Sequence, residues 1–463
     1  MHYSRTAGFY ALLLWIVGAG AWLRLRNLGA DSIWLDEAVS WTQSKGTLIE
    51  LVSKTARDNY PPLHNLLLYA FMNVSGTDTE WVLRLPSAIL GIANIAAIYW
   101  LGSLVRDRIS GLLAAALLAV STTHIYYSQE ARMYSLLALA TTLYAAAALF
   151  FVRSPSRNRA VLVAACGVAL LYSHPFGTWN WLFIAGGITA GILLAADFPR
   201  AVIVQWRNAN AAIGLAFLPW AIILFGRSLK RISQGFWVPY PTPHYVYDQL
   251  SGLAGGDLAM LALVVAATAG LLFKLRTYWP LLAWIVGPIA AGLVISLVAV
   301  PIFVGRYLIG SLPALLLLAA LGMAHLACRP AWSAKLAAAF LLVVAAAGNL
   351  SFVQAPRGDW RTAAAYLDVR LKDSDCVLVY PAYQAYPLNY YLRQPYCTIP
   401  SPSSTGLDLR SIGAERLFAV LVDEIYGARG EVGQIRRAAD TFGSEGESLV
   451  LRNISIVEYK RKQ

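Results

Sequence analysis

Charge is what this sequence has least of. Only 13% of its 463 residues are Asp, Glu, Lys or Arg, against about 25% in soluble globular chains, while 58% are hydrophobic. That shortage excludes an ordinary water-soluble enzyme and leaves a protein that crosses a membrane many times. Acids are scarcer than bases, 25 against 37, for a formal net charge of +12. In a compact soluble domain this balance would suggest nucleic acid. Spread over the connections between apolar runs, it reports membrane orientation and contact with anionic lipid, and no nucleic-acid partner is expected. There are four cysteines, without the spacing of metal ligands or of a disulfide framework. A cleavage site is missing after the first apolar run, 8–23, where Arg24 and Arg26 follow instead of small residues. The run is therefore expected to be retained as a span.

What the chain does have is apolar runs. A span needs about 20 such residues, and eleven are expected, centred near Leu14, Ala93, Ala116, Ala140, Val168, Ile184, Ala216, Val265, Ile289, Leu316 and Val343. Alternate connections are basic: Arg106 and Arg108; Arg153, Arg157 and Arg159; Arg200 and Arg207; Lys274 and Arg276; Arg329 and Lys335. By the positive-inside rule these connections and the N-terminus face the cytoplasm. The expected location is the cell (inner or plasma) membrane. The loops 27–80, 124–132, 172–179, 227–256 and 299–306, and everything beyond about Gln354, are placed outside.

Outside cations need a reason. Arg24, Arg26 and Arg84 at span ends read as snorkelling side chains. For Arg227, Lys230, Arg231 and Arg306, snorkelling and the holding of an anion both stand. The first outside loop carries Trp34-Leu-Asp-Glu-Ala-Val-Ser40 and then Tyr60-Pro-Pro-Leu-His64. Adjacent carboxylates at a membrane mouth, Asp36 and Glu37, are costly unless they act. Such a pair raises a carboxyl pKa, which suits a general base; for Glu37 a helix-start role is the alternative. Segments 49–55 and 63–74 read as interfacial helices, the second opened by Pro61-Pro62. Asp58, Asn59 and His64 make a polar cluster on that rigid corner, and Asp58, Tyr60 and His64 are substrate-binding candidates.

The next outside loop, His124-Ile-Tyr-Tyr-Ser-Gln-Glu-Ala-Arg-Met-Tyr134, mixes polar and aromatic residues most densely. Tyr127, Glu130, Arg132 and Tyr134 are substrate-binding candidates there, with a surface Glu130–Arg132 ion pair as the alternative. Segment 233–250, rich in Pro and Tyr, reads as a loop with little regular structure. His174 and His244 are taken as structural. Residues 1–354 are expected to form the membrane domain, and 355–463 an extracytoplasmic α/β domain. Its helices are expected over 360–371 and around 432–439, and its strands at 376–380, 417–422 and 448–451. Cys376 and Cys397 lie in it, as a disulfide or as two buried thiols.

Four motifs, in order and on one side, carry a resemblance: Leu-Asp-Glu-Ala from Leu35, Tyr-Pro-Pro-Leu-His from Tyr60, Ser-Gln-Glu-Ala-Arg-Met-Tyr-Ser-Leu from Ser128, and Gly305-Arg-Tyr-Leu. Over about the first 330 residues the chain resembles the GT-C glycosyltransferases, in the bacterial branch related to protein O-mannosyltransferases and lipid A aminoarabinose transferases. The resemblance implies a polytopic α-helical membrane protein of the GT-C fold, with about 11 transmembrane helices. It also implies inverting transfer of a sugar from a polyprenyl-phosphate donor to an acceptor hydroxyl on a glycan, lipid or protein. In that family the first-loop Asp is the base, which corresponds to Asp36, with Glu37 as its partner. The aminoarabinose transferases have Lys immediately before Pro-Pro, and this chain has Tyr60. Phosphate binding is accordingly expected from Arg306, Arg227, Lys230 and Arg231, placed where charge develops on the leaving group. No cofactor is expected, although Asp36, Glu37, Asp58 and Glu130 could together hold a divalent metal. A ligase using a lipid diphosphate remains an alternative, as does a non-enzymatic transporter or binding protein for lipid-linked sugars. A transporter would be expected to show repeated halves and charges at mid-membrane, and the sequence shows neither.

Overall fold

The computed structural model describes residues 2–58, 60–194, 198–234, 237–327, 339–340, 357–394, 396–399, 409, 412–422 and 429–461. In chain order its helices begin with α1 (His2–Leu25), α2 (Leu35–Ser44), α3 (Leu48–Asp58), α4 (Leu63–Ser75) and α5 (Glu80–Val105). Next come α6 (Arg108–Val120), α7 (Thr122–Ser128), α8 (Tyr134–Arg153), α9 (Arg157–Leu171) and α10 (Gly177–Leu194). They are followed by α11 (Arg200–Gln234), α12 (Pro243–Ala254), α13 (Asp257–Val298), a 3-10 turn (Gly305–Ser311) and α14 (Leu312–Ala327). Contacts divide the chain into two units: Met1–Arg26, Ser44–Asp78 and Val82–Val353 in one, Asn27–Gln43, Thr79–Trp81 and Gln354–Gln463 in the other.

In the first unit, seven described helical stretches are long and apolar enough to cross a membrane, and the bent pair α6–α7 would make eight. The expected span near Val343 lies outside the described residues. The one near Val168 is α9, at 15 residues short of a full crossing. Those near Val265 and Ile289 fall in the single 42-residue α13, which breaks at Lys274 (φ −150°, ψ 55°). Unbroken, it would measure about 60 Å, twice the roughly 30 Å of hydrocarbon. The Ala-rich α8 and the Leu-rich α14 are the buried centre. By contrast, α1, α11 and α13 expose Leu14, Trp15, Ile222, Phe225, Leu261 and Leu272, apolar surface that lipid solvates and water does not. Backbones of α13 and α14 approach closely at Gly270, where a Cβ would meet the Leu318 carbonyl at 2.6 Å. Without a hydrophobic drive between spans, close packing of small residues holds helices together.

The break between α6 and α7, bent by 63°, shows how the membrane unit satisfies its backbone. Asp107 opens α6 by accepting from Ser110 N–H at 2.8 Å, and Ser121 caps α7 by accepting from His124 N–H. The last carbonyls of α6 lack full helical partners, Leu118 O keeping only a long bond from Ser121 N–H at 3.4 Å, and in hydrocarbon no water replaces one. Arg24 supplies it, donating to Leu118 O at 2.9 Å and Ala119 O at 3.0 Å. The same guanidinium lies 2.9 Å from His124 Nδ1. Arginine can only donate, so Nδ1 accepts and Nε2 carries the proton. Nε2 therefore donates to Asn94, 3.1 Å away, which must turn its amide oxygen toward the ring.

Several expectations change here. Arg24 and Arg84 do not snorkel; both are buried, whereas Arg26 is exposed as expected. Residues 122–128 form a helix rather than a loop, and 243–250 belong to α12, with Thr242 accepting from Tyr245 N–H and Pro243 in the first turn. Arg227, Lys230 and Arg231 sit within α11, not in a loop. The two helices expected in the first loop are found as α3 and α4, with Pro62 at the α4 N-cap.

The second unit contains α15 (Trp360–Arg370), β1 (Cys376–Tyr380), α16 (Ala385–Tyr391), β2 (Cys397–Ile399), β3 (Arg416–Leu421), α17 (Arg429–Phe442), β4 (Gly443–Leu451) and β5 (Ile454–Arg461). The sheet order is β2-β1-β3-β5-β4, with β1 parallel to β2 and β3, and β5 antiparallel to β3 and β4. Alternation along the strands feeds two cores. Leu378, Leu417 and Ala419 pack with Val432, Ile435 and Ala439 of α17. Val377, Phe418 and Val420 pack with Trp360, Ala364 and Leu367 of α15. Cys376 and Cys397, opposite each other in the β1–β2 register, form a disulfide. Arg416 leaves the sheet end to meet Asp375 at 2.6 Å and Glu458 at 3.2 Å.

Arg24→Leu should lower the thermal midpoint in detergent, because each carbonyl it orphans costs about 1–3 kcal/mol. A thermal-shift assay that finds the variant as stable as the wild type would contradict the capping role.

Candidate functional site

Seven residues singled out in the sequence gather in the membrane unit: Tyr60, His64, Tyr127, Glu130, Arg132, Tyr134 and Arg306. They come from three segments, and a fourth joins them. Pro61-Pro62 and the start of α4 present Tyr60 and His64. The turn from α7 to α8 presents Tyr127, Glu130, Arg132 and Tyr134. It is held by Ser135 Oγ donating to Tyr127 O (3.0 Å), by Ser87 Oγ donating to Arg132 O (3.1 Å), and by Gln129 donating to the terminal carbonyls of α1. The α9–α10 turn adds His174, and the 3-10 turn adds Arg306 and Tyr307.

Tyr60 and Tyr307 hydroxyls are 3.1 Å apart. The His174 ring lies among Tyr307 (5.0 Å between centroids), Tyr60 (5.7 Å), Phe176 (6.0 Å) and Tyr134 (6.1 Å), and Tyr127 packs on Tyr134 at 4.9 Å. Arg132 stands over the Tyr60 ring at 5.4 Å, and Arg306 over Trp237 at 5.1 Å and Tyr307 at 5.7 Å. Glu130, Arg132, Tyr134, His64 and His174 are all buried. The surface Glu130–Arg132 pair anticipated from the sequence is therefore not a surface feature.

Electrostatics fix the protonation states. Burial, then Arg132, lowers the His64 imidazole to about 3, against an opposing pull from the Ala131 carbonyl. Burial, then Arg132 and Arg306, lowers His174 to about 3 as well. Burial chiefly, with Tyr307 and Tyr134 beside it, raises Tyr60 well above its ordinary value. Both imidazoles are thus neutral and the phenol protonated near neutral pH. His174 Nδ1 accepts from Phe176 N–H at 3.0 Å, so Nε2 bears the hydrogen, and it has no partner among the described residues. Two guanidiniums, neutral imidazoles and tyrosine hydroxyls in a water-poor, aromatic setting can neutralise an anion and hydrogen-bond to it.

The other candidates stand elsewhere. Asp36 and Glu37 occupy the first turn of α2, in the second unit. Glu37 is fully buried, accepts from Trp34 N–H at 3.4 Å and lies 4.0 Å from Arg357 Nη1. This return to the residue that precedes the helix is the acidic half of a capping box. Asp36 is half-buried. Asp58 closes α3, half-buried, and Arg227 lies half-buried in α11. The side chains of Lys230 and Arg231 lie outside the described residues. Among the described residues no three His, Cys, Asp or Glu side chains converge as metal ligands. His174 and Tyr307 were not selected from sequence. Tyr307 sits inside the Gly305-Arg-Tyr-Leu motif, whereas a single His in a short turn gives no sequence signal.

Comparisons with known proteins bear on the fold. Residues 59–178, which bear most of the cluster, match the family described as dolichyl-phosphate-mannose-protein mannosyltransferase. No curated protein matches the chain. Among solved structures, ArnT from Cupriavidus metallidurans in the apo state superposes with a TM-score of 0.62 at 12% identity, over 98% of both chains. The Archaeoglobus fulgidus oligosaccharyltransferase AglB, in complex with an inhibitory peptide and a dolichol-phosphate, gives 0.61 at 11%, over 95% of this chain and 73% of that one. The mycobacterial arabinofuranosyltransferase AftD gives 0.53 at 16%, over 97% and 42%. The chain therefore has the GT-C fold of membrane glycosyltransferases and is a multi-pass membrane protein.

The two buried histidines set a pH dependence. Unfolded, each binds a proton near its ordinary value of 6.5; folded, each does so only near 3. Their contribution to stability is complete above the unfolded value and is lost as pH falls from 6.5 toward 3. Thermal midpoints should drop between about pH 7 and about pH 5, and less steeply in His64→Asn and His174→Asn. Equal slopes in all three proteins would refute the assignment.

Proposed function

We propose that this protein is an inverting glycosyltransferase that moves a sugar from a polyprenyl phosphate to an acceptor hydroxyl on the extracytoplasmic side of the membrane. The observation that carries the reading is the cluster of buried Arg132, Tyr307 and His174 with half-buried Tyr60 and Arg306, in which the His174 Nε2–H has no partner among the described residues, a set of donors suited to a phosphate next to lipid. ArnT from the same organism as the apo form has been solved bound to undecaprenyl phosphate (TM-score 0.57, 14% identity, 99% of this chain and 98% of that one), which supports the choice of ligand class.

In this mechanism Asp36 takes the proton of the acceptor hydroxyl as its oxygen attacks the anomeric carbon. The bond from that carbon to the phosphate oxygen breaks on the opposite face, so the configuration inverts. Polyprenyl phosphate leaves with the electron pair. Arg306 and Arg132 meet the charge that develops on the leaving oxygen, and the His174 N–H adds a hydrogen bond. Glu37, through its capping contact and Arg357, fixes the start of α2 and so the backbone from which Asp36 projects. Arg227, Lys230 and Arg231 are further candidates for the donor phosphate, and Asp58 for the sugar. The basic alternate connections support an extracytoplasmic position for residues 354–463.

The test is sugar transfer in liposomes from a panel of synthetic polyprenyl-phosphate sugars. Asp36→Asn should lose about 10²–10⁴-fold in turnover, and Arg306→Ala about 10²-fold. Full turnover in Asp36→Asn would move the base to Glu37, Asp58 or Glu130. Transfer from lipid diphosphates alone would replace the monophosphate donor.

A further inference from the structure

Residues 27–34, which lead into α2, bury Leu28 and Ile33, and polar groups also hold the segment at several points. The holding groups lie far along the chain, in the unit that the loop shares with residues 354–463. Arg361, in the first turn of α15, donates from its backbone N–H to Ser32 Oγ at 3.2 Å. Its guanidinium donates to Gly29 O at 3.2 Å and Ala30 O at 3.4 Å. It also grips the Glu80 carboxylate through Nη2 at 2.6 Å and Nε at 3.2 Å. Tyr391, at the end of α16, donates its hydroxyl proton to the same Glu80 oxygen at 2.8 Å and accepts the Ile33 N–H at 2.8 Å. Burial raises the Tyr391 phenol well above its ordinary value, so the hydroxyl keeps the proton it donates. Within α2, Trp41 packs edge-on against Tyr390 at 5.0 Å.

Arg361 is half exposed, and an ion pair in that setting adds little to global stability. What it and Tyr391 do is local. Between them they fix the backbone at Gly29, Ala30 and Ile33 and the side chain of Ser32, the last backbone contact three residues before Asp36. Arg357 approaches Glu37 immediately after Asp36. We propose that Arg361 and Tyr391, bridged by Glu80, are positioning residues that hold the Asp36 loop in its reactive geometry, so that the C-terminal region contributes to turnover without touching the reacting atoms. This inference rests on the reading of Asp36 as the base. A misplacement of about 1 Å in a reacting group costs on the order of 10²-fold in rate, so loosening the loop should act on kcat and leave donor affinity nearly unchanged.

The experiment compares the full-length wild type with Arg361→Ala, Tyr391→Phe and Arg361→Lys in liposomes, with two readouts. Hydrogen exchange of the peptide covering 27–37 should accelerate in Arg361→Ala and Tyr391→Phe, while peptides from α8 and α14 keep their protection. On the donor that the wild type turns over, kcat should fall by about 10–10²-fold with KM within about threefold. Arg361→Lys keeps the charge toward Glu80 but not the fork of donors, and should fall between wild type and Arg361→Ala in both readouts. Unchanged exchange overturns the clamp. Accelerated exchange with unchanged kcat overturns its catalytic role. A wild type that transfers from no donor overturns the functional reading and the catalytic role with it, and the exchange result still decides whether Arg361 and Tyr391 order the loop.

Discussion

A backbone carbonyl that ends a helix inside a membrane has to find its donor within the protein, and the break between α6 and α7 depends on one side chain to meet that demand. Arg24 reaches from the end of α1 to the last carbonyls of α6 and to His124 in α7. With those groups satisfied, the chain can turn by 63° and leave the direction of a simple crossing. The turn delivers residues 127–134 to the places where Tyr127, Arg132 and Tyr134 join Tyr60, His174 and Tyr307. A straight helix over the same residues would carry the densest polar stretch of the sequence into hydrocarbon. The polar cluster and the cap that permits it are two ends of one solution.

Neutral groups do much of the work in that cluster. Burial and two arginines keep His64 and His174 unprotonated, and the hydrogen bond from Phe176 N–H decides which nitrogen of His174 keeps its hydrogen. The imidazoles thus add hydrogen bonds without adding charge, while the guanidiniums of Arg132 and Arg306 carry the charge. The aromatic rings beneath both guanidiniums orient them and keep water away.

Much of this was legible in the sequence because the chain is so apolar. Against a background of Ala, Leu and Val, the stretch 124–134 and the Tyr-Pro-Pro-Leu-His corner stand out, and the residues chosen there do come together. The strand from Cys376 to Tyr380 was equally plain from its apolar run, whereas β5, with Glu458, Lys460 and Arg461 in it, was not. Arg24 was misread because an arginine at a span end looks the same in sequence whether it snorkels or caps a neighbouring helix; only the distance to Leu118 and Ala119 tells them apart. His174 gave no signal for a related reason, since its company is assembled from α8, the 3-10 turn and the segment before α4. The grouping of residues 27–43 with the C-terminal region depends on Arg361 and Tyr391, more than 300 positions away, and no local pattern encodes it.

That last feature bears on how such a protein can be recombined. A boundary drawn in the sequence after the last span would suggest two exchangeable modules, one membranous and one soluble. Arg361 and Tyr391 are matched to Gly29, Ala30, Ser32, Ile33 and Glu80, all encoded near the start of the chain. A hybrid that takes its C-terminal region from one homologue and its first loop from another inherits half of a lock and half of a different key. The two segments therefore form one heritable piece, although nearly the whole membrane bundle is encoded between them.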